Sequence, residues 1–276
     1  MLAYVGLIAA GSAGLAYGNT GERHWTEVTR TRLRLDLGPD GPTSLRIALL
    51  TDFHYDPLEE GDYFARIVAA TNAQHPDLVL LLGDFVTRRA EPGDDLIAIL
   101  AGLKAPLGVR AVLGNHDAWC GPARIRRALE RHGIDDLSNR IRRVSAADGT
   151  LTLAGLDSMW GGSPDPRILR TLRREERVLL AHHEPDGIDD LPAEWQDHVA
   201  LQVSGHTHGG QICAPGGIVL RRVSHGRNYT RGLYAVTPRT RLYVSRGLGT
   251  VGVHARLFCR PEIAVLDLAH SVRAPA

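Results

Sequence analysis

Five short apolar runs, each leading directly into residues that bind metals, constrain this chain more than any other feature. Ile47–Leu50 leads into Thr51-Asp52-Phe53-His54, Leu78–Leu82 into Gly83-Asp84, and Val109–Leu113 into Gly114-Asn115-His116-Asp117. Val178–Ala181 leads into His182-His183-Glu184-Pro185, and Val199–Val203 into Gly205-His206-Thr207-His208-Gly209-Gly210. With Leu151–Leu156, these runs are continuous rather than alternating, which suits strands buried on both faces. Between them Tyr63–Ala73, Asp95–Leu103 and Pro122–His132 have helical spacing, and Gly133 is a natural stop. Leu233–Val236, Leu242–Val244 and Ile263–Leu266 read as a closing β-rich section. Strands alternating with helices and then mostly strands predict one layered α/β domain over residues 45–270, preceded by a connecting segment at 21–44.

In open α/β sheets, ligands bind at the carboxyl ends of strands, so the five polar loops are expected to converge. Carboxylate, imidazole and side-chain carbonyl suit divalent first-row metals. Two Asp, one Asn and several His suffice for two ions sharing a carboxylate, a pair able to clamp a phosphoryl group and acidify a water. Taken singly, the motifs are weak. Asp-x-His and Gly-Asp commonly mark turns, and His182-His183 can be a strand-end pair with one core imidazole. Gly114 to Asp117 is sharper, because four such residues after an apolar strand are costly to bury unpaired. His206 and His208 would share a face on an extended backbone; a turn, permitted by the flanking glycines, would let them reach different ions. Jointly, in this order and all after strands, the loops are not a chance pattern.

Composition narrows the function. The chain has 276 residues, 43% hydrophobic and 23% charged, which excludes disorder and collagen. Its 32 basic against 31 acidic side chains give +1, and with 5% aromatics no basic stripe or stacking surface marks a nucleic-acid partner. Cys120, Cys213 and Cys259 lack C-x-x-C spacing, which excludes a zinc ribbon.

Met1–Gly18 carries no charged side chain and is long enough to approach a ~30 Å hydrocarbon core. It reads as a membrane anchor, a signal peptide cleaved near Ala16-Tyr17-Gly18, or a docked apolar helix made poor by Gly6, Gly11, Gly14 and Gly18. No charge precedes it, so sidedness is open. The expectation is inner-membrane association, with an exported, periplasmic domain as the alternative.

Read together, D-x-H, G-D, G-N-H-D, H and G-H-x-H in order from Asp52 to His208 resemble the calcineurin-like metallophosphoesterase superfamily. Gly205–Gln211 (G-H-T-H-G-G-Q), Leu242–Gly249 and Arg260–Ile263 are similar to its bacterial membrane-associated branch. The resemblance implies an α/β sandwich of two mixed sheets flanked by helices, here with an N-terminal apolar helix over residues 1–20. It implies a first metal on Asp52, His54, Asp84 and His208, and a second on Asp84, Asn115, His206 and a fourth-loop histidine, with Asp84 bridging. The family's H-x-P favours His183 over His182. Mn²⁺ is the expected metal, with Fe or Zn as alternatives. His116 corresponds to the family's proton-donating or phosphate-steadying histidine, and Asp117 would orient it; an imidazole, with an ordinary pKa of about 6.5, suits that role. The substrate implied is a phosphodiester or diphosphate. It is lipid-linked in relatives that cleave UDP-2,3-diacylglucosamine in lipid A biosynthesis, or an envelope phosphodiester if the domain is exported. A metal-free scaffold, as in some members of the fold, would show missing ligands, and none is missing. Trp160–Pro166 and Ala214–Tyr229 would rim the site, and Arg221, Arg222, Arg227 and Arg231 either meet a diphosphate or are solvated surface.

Overall fold

The computed structural model describes residues 14, 16–57 and 60–271. Two six-stranded sheets face each other. The first has the order β1 (Glu27–Leu35), β14 (Glu262–His270), β2 (Ser44–Leu50), β3 (Leu78–Leu81), β4 (Val109–Ala111), β5 (Asp135–Asp136). The second runs β12 (Gly232–Ala235), β13 (Arg241–Val244), β9 (Val199–Ser204), β8 (Val178–Ala181), β7 (Gly149–Gly155), β6 (Arg140–Ala146), and β10 (Cys213–Ala214) and β11 (Ile218–Val219) form a separate hairpin. Both sheets are mixed: β2 to β5 run parallel, as do β7, β8, β9 and β13, whereas β14–β2, β6–β7 and β12–β13 are antiparallel.

The continuous apolar runs are explained by what lies on each face. Ile47, Leu49, Leu78 and Leu80 point inward against Leu153, Leu179, Leu201 and Val203 of the second sheet. The alternate residues Ala48, Leu50, Val79 and Leu81 pack outward. They meet helices α1 (Gly61–Asn72), α2 (Pro92–Leu100) and α4 (Pro122–Arg131) through Phe64, Ile67, Leu96, Ile97 and Ile125. Leu180, Leu242 and Val244 form a third layer with Leu169, Ile188 and Leu191 behind the second sheet. Helix α3 (Asn115–Cys120) precedes α4, and α5 (Ala193–Gln196) precedes β9.

The structure changes one expectation and leaves another outside the described residues. Residues 21–44, read as a connecting segment, contain β1, which pairs in parallel with β14 along its whole length. Upstream of it, Glu22 accepts a hydrogen bond from Cys259 N at 2.7 Å, and Arg23 pairs with Glu60 at 2.5 Å. The folded unit therefore begins before residue 45. β1 escapes a search for continuous apolar runs because it lies at a sheet edge and carries Arg at every second position from Arg30 to Arg34. The anchor or signal segment of residues 1–20 lies largely outside the described residues; among those described, no helix is long and apolar enough to cross a membrane.

Candidate metal centre

All five motif loops leave the carboxyl ends of parallel strands, β2, β3 and β4 in one sheet and β8 and β9 in the other. They meet where the two sheets' ends come together. The approach is close enough to exclude side chains: a Cβ on Gly83, at φ +90°, would lie 2.7 Å from Gly114 Cα, and one on Gly114 would lie 2.5 Å from Asp84 N. Asp52, His54, Asp84, His206 and His208 all sit in the left-handed region, at φ 53°, 45°, 54°, 70° and 51°. Asp and His tolerate that region better than most residues, but each instance costs roughly 1 kcal/mol or more. Five together show a backbone bent to aim side chains.

The donors fall into two adjoining groups. Ligand atoms of Asp52, His54 and His208 lie within 4.8 Å of one another, and so do those of Asp84, His183 and His206. Asp84 reaches both, with Oδ2 3.4 Å from His54 Nε2 and 3.3 Å from His183 Nε2. Asn115 joins the second group, its Oδ1 2.9 Å from His206 Nδ1. His183, not His182, faces the carboxylates; His182 is buried beside Glu184, at 3.6 Å.

Hydrogen bonds at the far ends of the rings fix which nitrogen is left over. His183 Nδ1 donates to Leu82 O at 2.5 Å and His206 Nε2 to Ser224 O at 2.7 Å. In the neutral His206 ring this leaves the Nδ1 lone pair facing Asn115 Oδ1, and in His183 it aims Nε2 at Asp84 Oδ2. His54 and His208 approach at 3.0 Å, Nε2 to Nε2, and buried His208 Nδ1 and His183 Nε2 have no hydrogen-bond partner. The His206 lone pair on Asn115 Oδ1 and these unpartnered ring nitrogens are what a cation in the buried site would resolve. These far-end bonds are also the kind that orient metal-ligating imidazoles.

Electrostatics favour the neutral form at three of the four rings. Burial holds His206 down at about 4 and pushes His54 and His208 below the ordinary imidazole range, so these rings are neutral, the form that coordinates. Burial, reinforced by Asp84 against the pull of His183, raises Asp52 to about 7. Burial also opposes charge on both members of the Asp84–His183 pair. Their mutual attraction nevertheless holds Asp84 well below the carboxylate range and His183 well above the imidazole range.

His116 stands beside the centre, its ring 4.7 Å from that of His54, and its backbone N–H donates to Asp84 Oδ1 at 2.9 Å. Its Nδ1 donates to Thr87 O at 2.7 Å, so Nε2 is the nitrogen available to substrate. Asp117 does not take the orienting role expected from the sequence. Its carboxylate accepts N–H bonds from Gly114 and Phe85 at 2.9 Å and from Val86 at 3.3 Å, pinning the start of α3 to the loop after β3.

Sequence reasoning missed the roles of three residues here. Thr87 orients two rings, through its carbonyl to His116 and its Oγ1 at 3.3 Å from His54 Nδ1. Glu184, fully buried, accepts from Ser158 Oγ and from Met159 N and Trp160 N, tying the fourth loop to the rim. Arg256, fully buried, donates to Gly249 O at 2.7 and 3.0 Å and to Cys259 O at 3.3 Å, behind the segment that backs Asp52. Of the four arginines singled out near the rim, Arg221 lines the cleft. Arg231 is spent on the carbonyls of Gly209 and Gly217, and Arg222 on Arg227 O.

A two-sheet α/β sandwich with this donor set at its strand ends defines a metal-dependent phosphoester hydrolase. The profile of the calcineurin-like phosphoesterases matches residues 45–210, and the chain belongs to that family. It is 32% identical over 276 residues to the metallophosphoesterase YkuE of Bacillus subtilis, covering 95% of this chain and 94% of that one. It is 32% identical over 266 residues to the phosphodiesterase YaeI of Escherichia coli, with 94% of each covered. Among solved structures, a dimetal phosphatase from Danio rerio superposes with a TM-score of 0.50 at 13% identity, covering 84% of this chain and all of that one, a likeness of fold. Family and donor groups together support a dinuclear divalent-metal centre.

Proposed function

We propose that this hydrolase cleaves a phosphodiester or diphosphate bond in a lipid-linked substrate at the inner membrane. UDP-2,3-diacylglucosamine of lipid A biosynthesis is a substrate of the right chemistry. The observation that carries the hydrolytic reading is the convergence of two adjoining donor groups, Asp52–His54–His208 and Asp84–His183–His206, on one buried site that Asp84 spans. When bound there, two divalent ions, Mn²⁺ first with Fe or Zn as alternatives, supply Lewis-acid neutralisation of phosphoryl oxygens and an acidified water.

The protein's own contribution is positioning and proton movement. Asp84 spans the two donor groups, so it sets their separation. With Nδ1–H held by Thr87 O, a charged His116 presents Nε2–H to the leaving oxygen and is left neutral after giving up that proton. The lipid-linked reading is supported by the apolar side chains Trp119, Trp160, Val223 and Val253 lining the cleft above the centre. The uncharged Met1–Gly18 supports it as well.

The test strips residues 19–276 with chelator, refills with Mn²⁺ and follows bis(p-nitrophenyl) phosphate and UDP-2,3-diacylglucosamine in wild type and Asp84→Ala. Metal-dependent turnover of both, lost with metal stoichiometry in the variant, is expected. Turnover that persists without metal would refute the hydrolytic reading. Cleavage of the nitrophenyl ester alone would refute the lipid-linked one and favour an exported phosphodiesterase of broad specificity.

A further inference from the structure

Two cavities flank the donor cluster, and their walls differ in chemistry. One, of about 490 Å³, borders His54 and is lined by Tyr55, Thr87, Arg88, Arg89 and His254. Asp56 is the acidic residue among the described residues of this wall. Neither Arg88 nor Arg89 has a hydrogen-bond or ion-pair partner among the described residues. Many of this chain's other arginines are spent on carboxylates, as in Arg124–Asp94, Arg126–Asp136, Arg142–Asp135 and Arg173–Asp40. Two adjacent unspent guanidiniums beside a metal centre form a site for a further anion.

The other cavity, of about 410 Å³, borders His116 and His206 and is walled mainly by Trp119, Trp160, Ile212, Val223, Val251 and Val253, with Arg221 at its lining as well. Trp119, Trp160 and Val253 remain 50%, 43% and 51% exposed, so they do not serve the core. Yet they are held in place. Trp119 meets Trp160 edge-to-face at 5.0 Å and the His116 ring at 5.0 Å. Buried Glu184 accepts from Trp160 N, and the Cα of Gly161 lies so close under Trp119 that a Cβ there would come within 2.6 Å of its Nε1. A fixed, half-exposed apolar wall beside the proton-delivering ring is a binding surface for an apolar substituent. The two cavities meet at Gly252, which lines both.

We propose that the cleft selects an amphiphilic diester, with an alkyl or acyl-bearing substituent on the His116 side and a second phosphoryl group on the His54 side. Trp160 and Val253 read the first, and Arg88 and Arg89 the second. This inference rests on the hydrolase reading and adds the substrate's polarity and the residues that determine it.

The test uses the Mn²⁺-loaded chain and three p-nitrophenyl phosphodiesters whose second substituent is methyl, octyl or 2-phosphoethyl, with both possible cleavage products of each quantified, because the substituent on the His116 side is the one that departs. Wild type is expected to prefer octyl over methyl at least tenfold in kcat/KM, and 2-phosphoethyl over methyl at least threefold. The second preference should fall with ionic strength. Arg88→Gln/Arg89→Gln should abolish the phosphoethyl preference and keep the octyl one, and Trp160→Ser/Val253→Ser the reverse. A second readout needs no metal: octyl phosphate should change the tryptophan fluorescence of the chelated protein, and Trp160→Ser should weaken its binding at least fivefold. Ratios that move together, or do not move, would overturn the two-walled assignment while leaving hydrolysis intact. Loss of all turnover, including bis(p-nitrophenyl) phosphate by wild type, would overturn the hydrolase reading and this inference with it.

Discussion

Replacing Asp117 separates the role its sequence position suggests from the role its contacts define. If Asp117 oriented His116, its loss would free the ring and slow substrates with poor leaving groups far more than nitrophenyl esters. The structure gives the orienting bond to Thr87 O, and gives Asp117 three backbone donors: Gly114 N and Phe85 N at 2.9 Å and Val86 N at 3.3 Å. Asp117→Ala strands those donors in a site with no solvent access, at roughly 1–3 kcal/mol for each of the two short bonds and less for the long one. The sum is about 4 kcal/mol. At roughly 2–4 °C per kcal/mol for a chain of this size, the melting temperature should fall by about 12 °C. Asp117→Asn keeps an acceptor for Phe85 and Val86 but sets its amide against Gly114 N–H, so about half that loss is expected. Melts should be run on chelated protein, because bound metal adds its own stabilisation. Rates of the metal-loaded variants on p-nitrophenyl and alkyl leaving groups should fall in parallel, since Asn115 and His116 both ride on the first turn of α3. A melting temperature within about 1 °C of wild type, with a rate loss confined to alkyl leaving groups, would refute this assignment and restore the orienting role.

His183→Asn should cost one of two bound ions by elemental analysis, whereas His182→Asn should retain both; equal losses would put the wrong histidine at the centre. Thr87→Val removes the hydroxyl beside His54 Nδ1 but keeps the carbonyl that holds His116, so metal affinity should weaken roughly 10-fold or more with little change in leaving-group dependence. Competition with a chelating dye checks this. Arg256→Leu leaves the carbonyls of Gly249 and Cys259 without their buried donor and should lower stability by roughly 2–4 kcal/mol in chemical denaturation. In metal-free protein, His206 is held at about 4 when folded and near 6.5 when unfolded, so the unfolded chain binds more protons between those values. Its contribution should therefore be full above pH 6.5 and lost as pH falls toward 4. His183, whose pKa is raised, contributes in the opposite sense, lost as pH rises through its folded value. His206→Asn should flatten the acid limb of the stability curve; an unchanged acid limb would show that His206 is not buried neutral.

What the sequence discloses of this site follows from how each residue acts. Candidate ligands announce themselves by type, and the strand ends that carry them announce themselves by apolar runs, so Asp52, His54, Asp84, Asn115, His206 and His208 can be named as candidates without coordinates. The supporting residues cannot. Thr87 works through a main-chain carbonyl, Asp117 through main-chain N–H groups, and Arg256 through two carbonyls; a sequence records none of those partners. β1 fails for a related reason. Its identity as a strand comes from nine registered pairs with β14, near the other end of the chain, rather than from its own Arg- and Thr-rich alternation.

The choice between His182 and His183 shows how close the sequence comes and where it stops. Residues of β8 alternate faces: Leu179 and Ala181 pack inward between the sheets, and Val178 and Leu180 pack outward. Continuing that alternation past Ala181 puts His182 outward, against Glu184 and Gly187, and His183 inward, toward the seam where β2, β3 and β4 deliver their own ligands. The parity is present in the sequence, but Val178–Ala181 is apolar at every position, so nothing in it says which parity faces the other sheet. That information lies in the pairing of β8 with β7 and β9 and in the layer behind them. A strand buried on both faces hides the direction of its side chains from the reader, and it is also what makes the aim of His183 rigid. A slip of one residue would turn both apolar faces over at once and bring His182 to the centre.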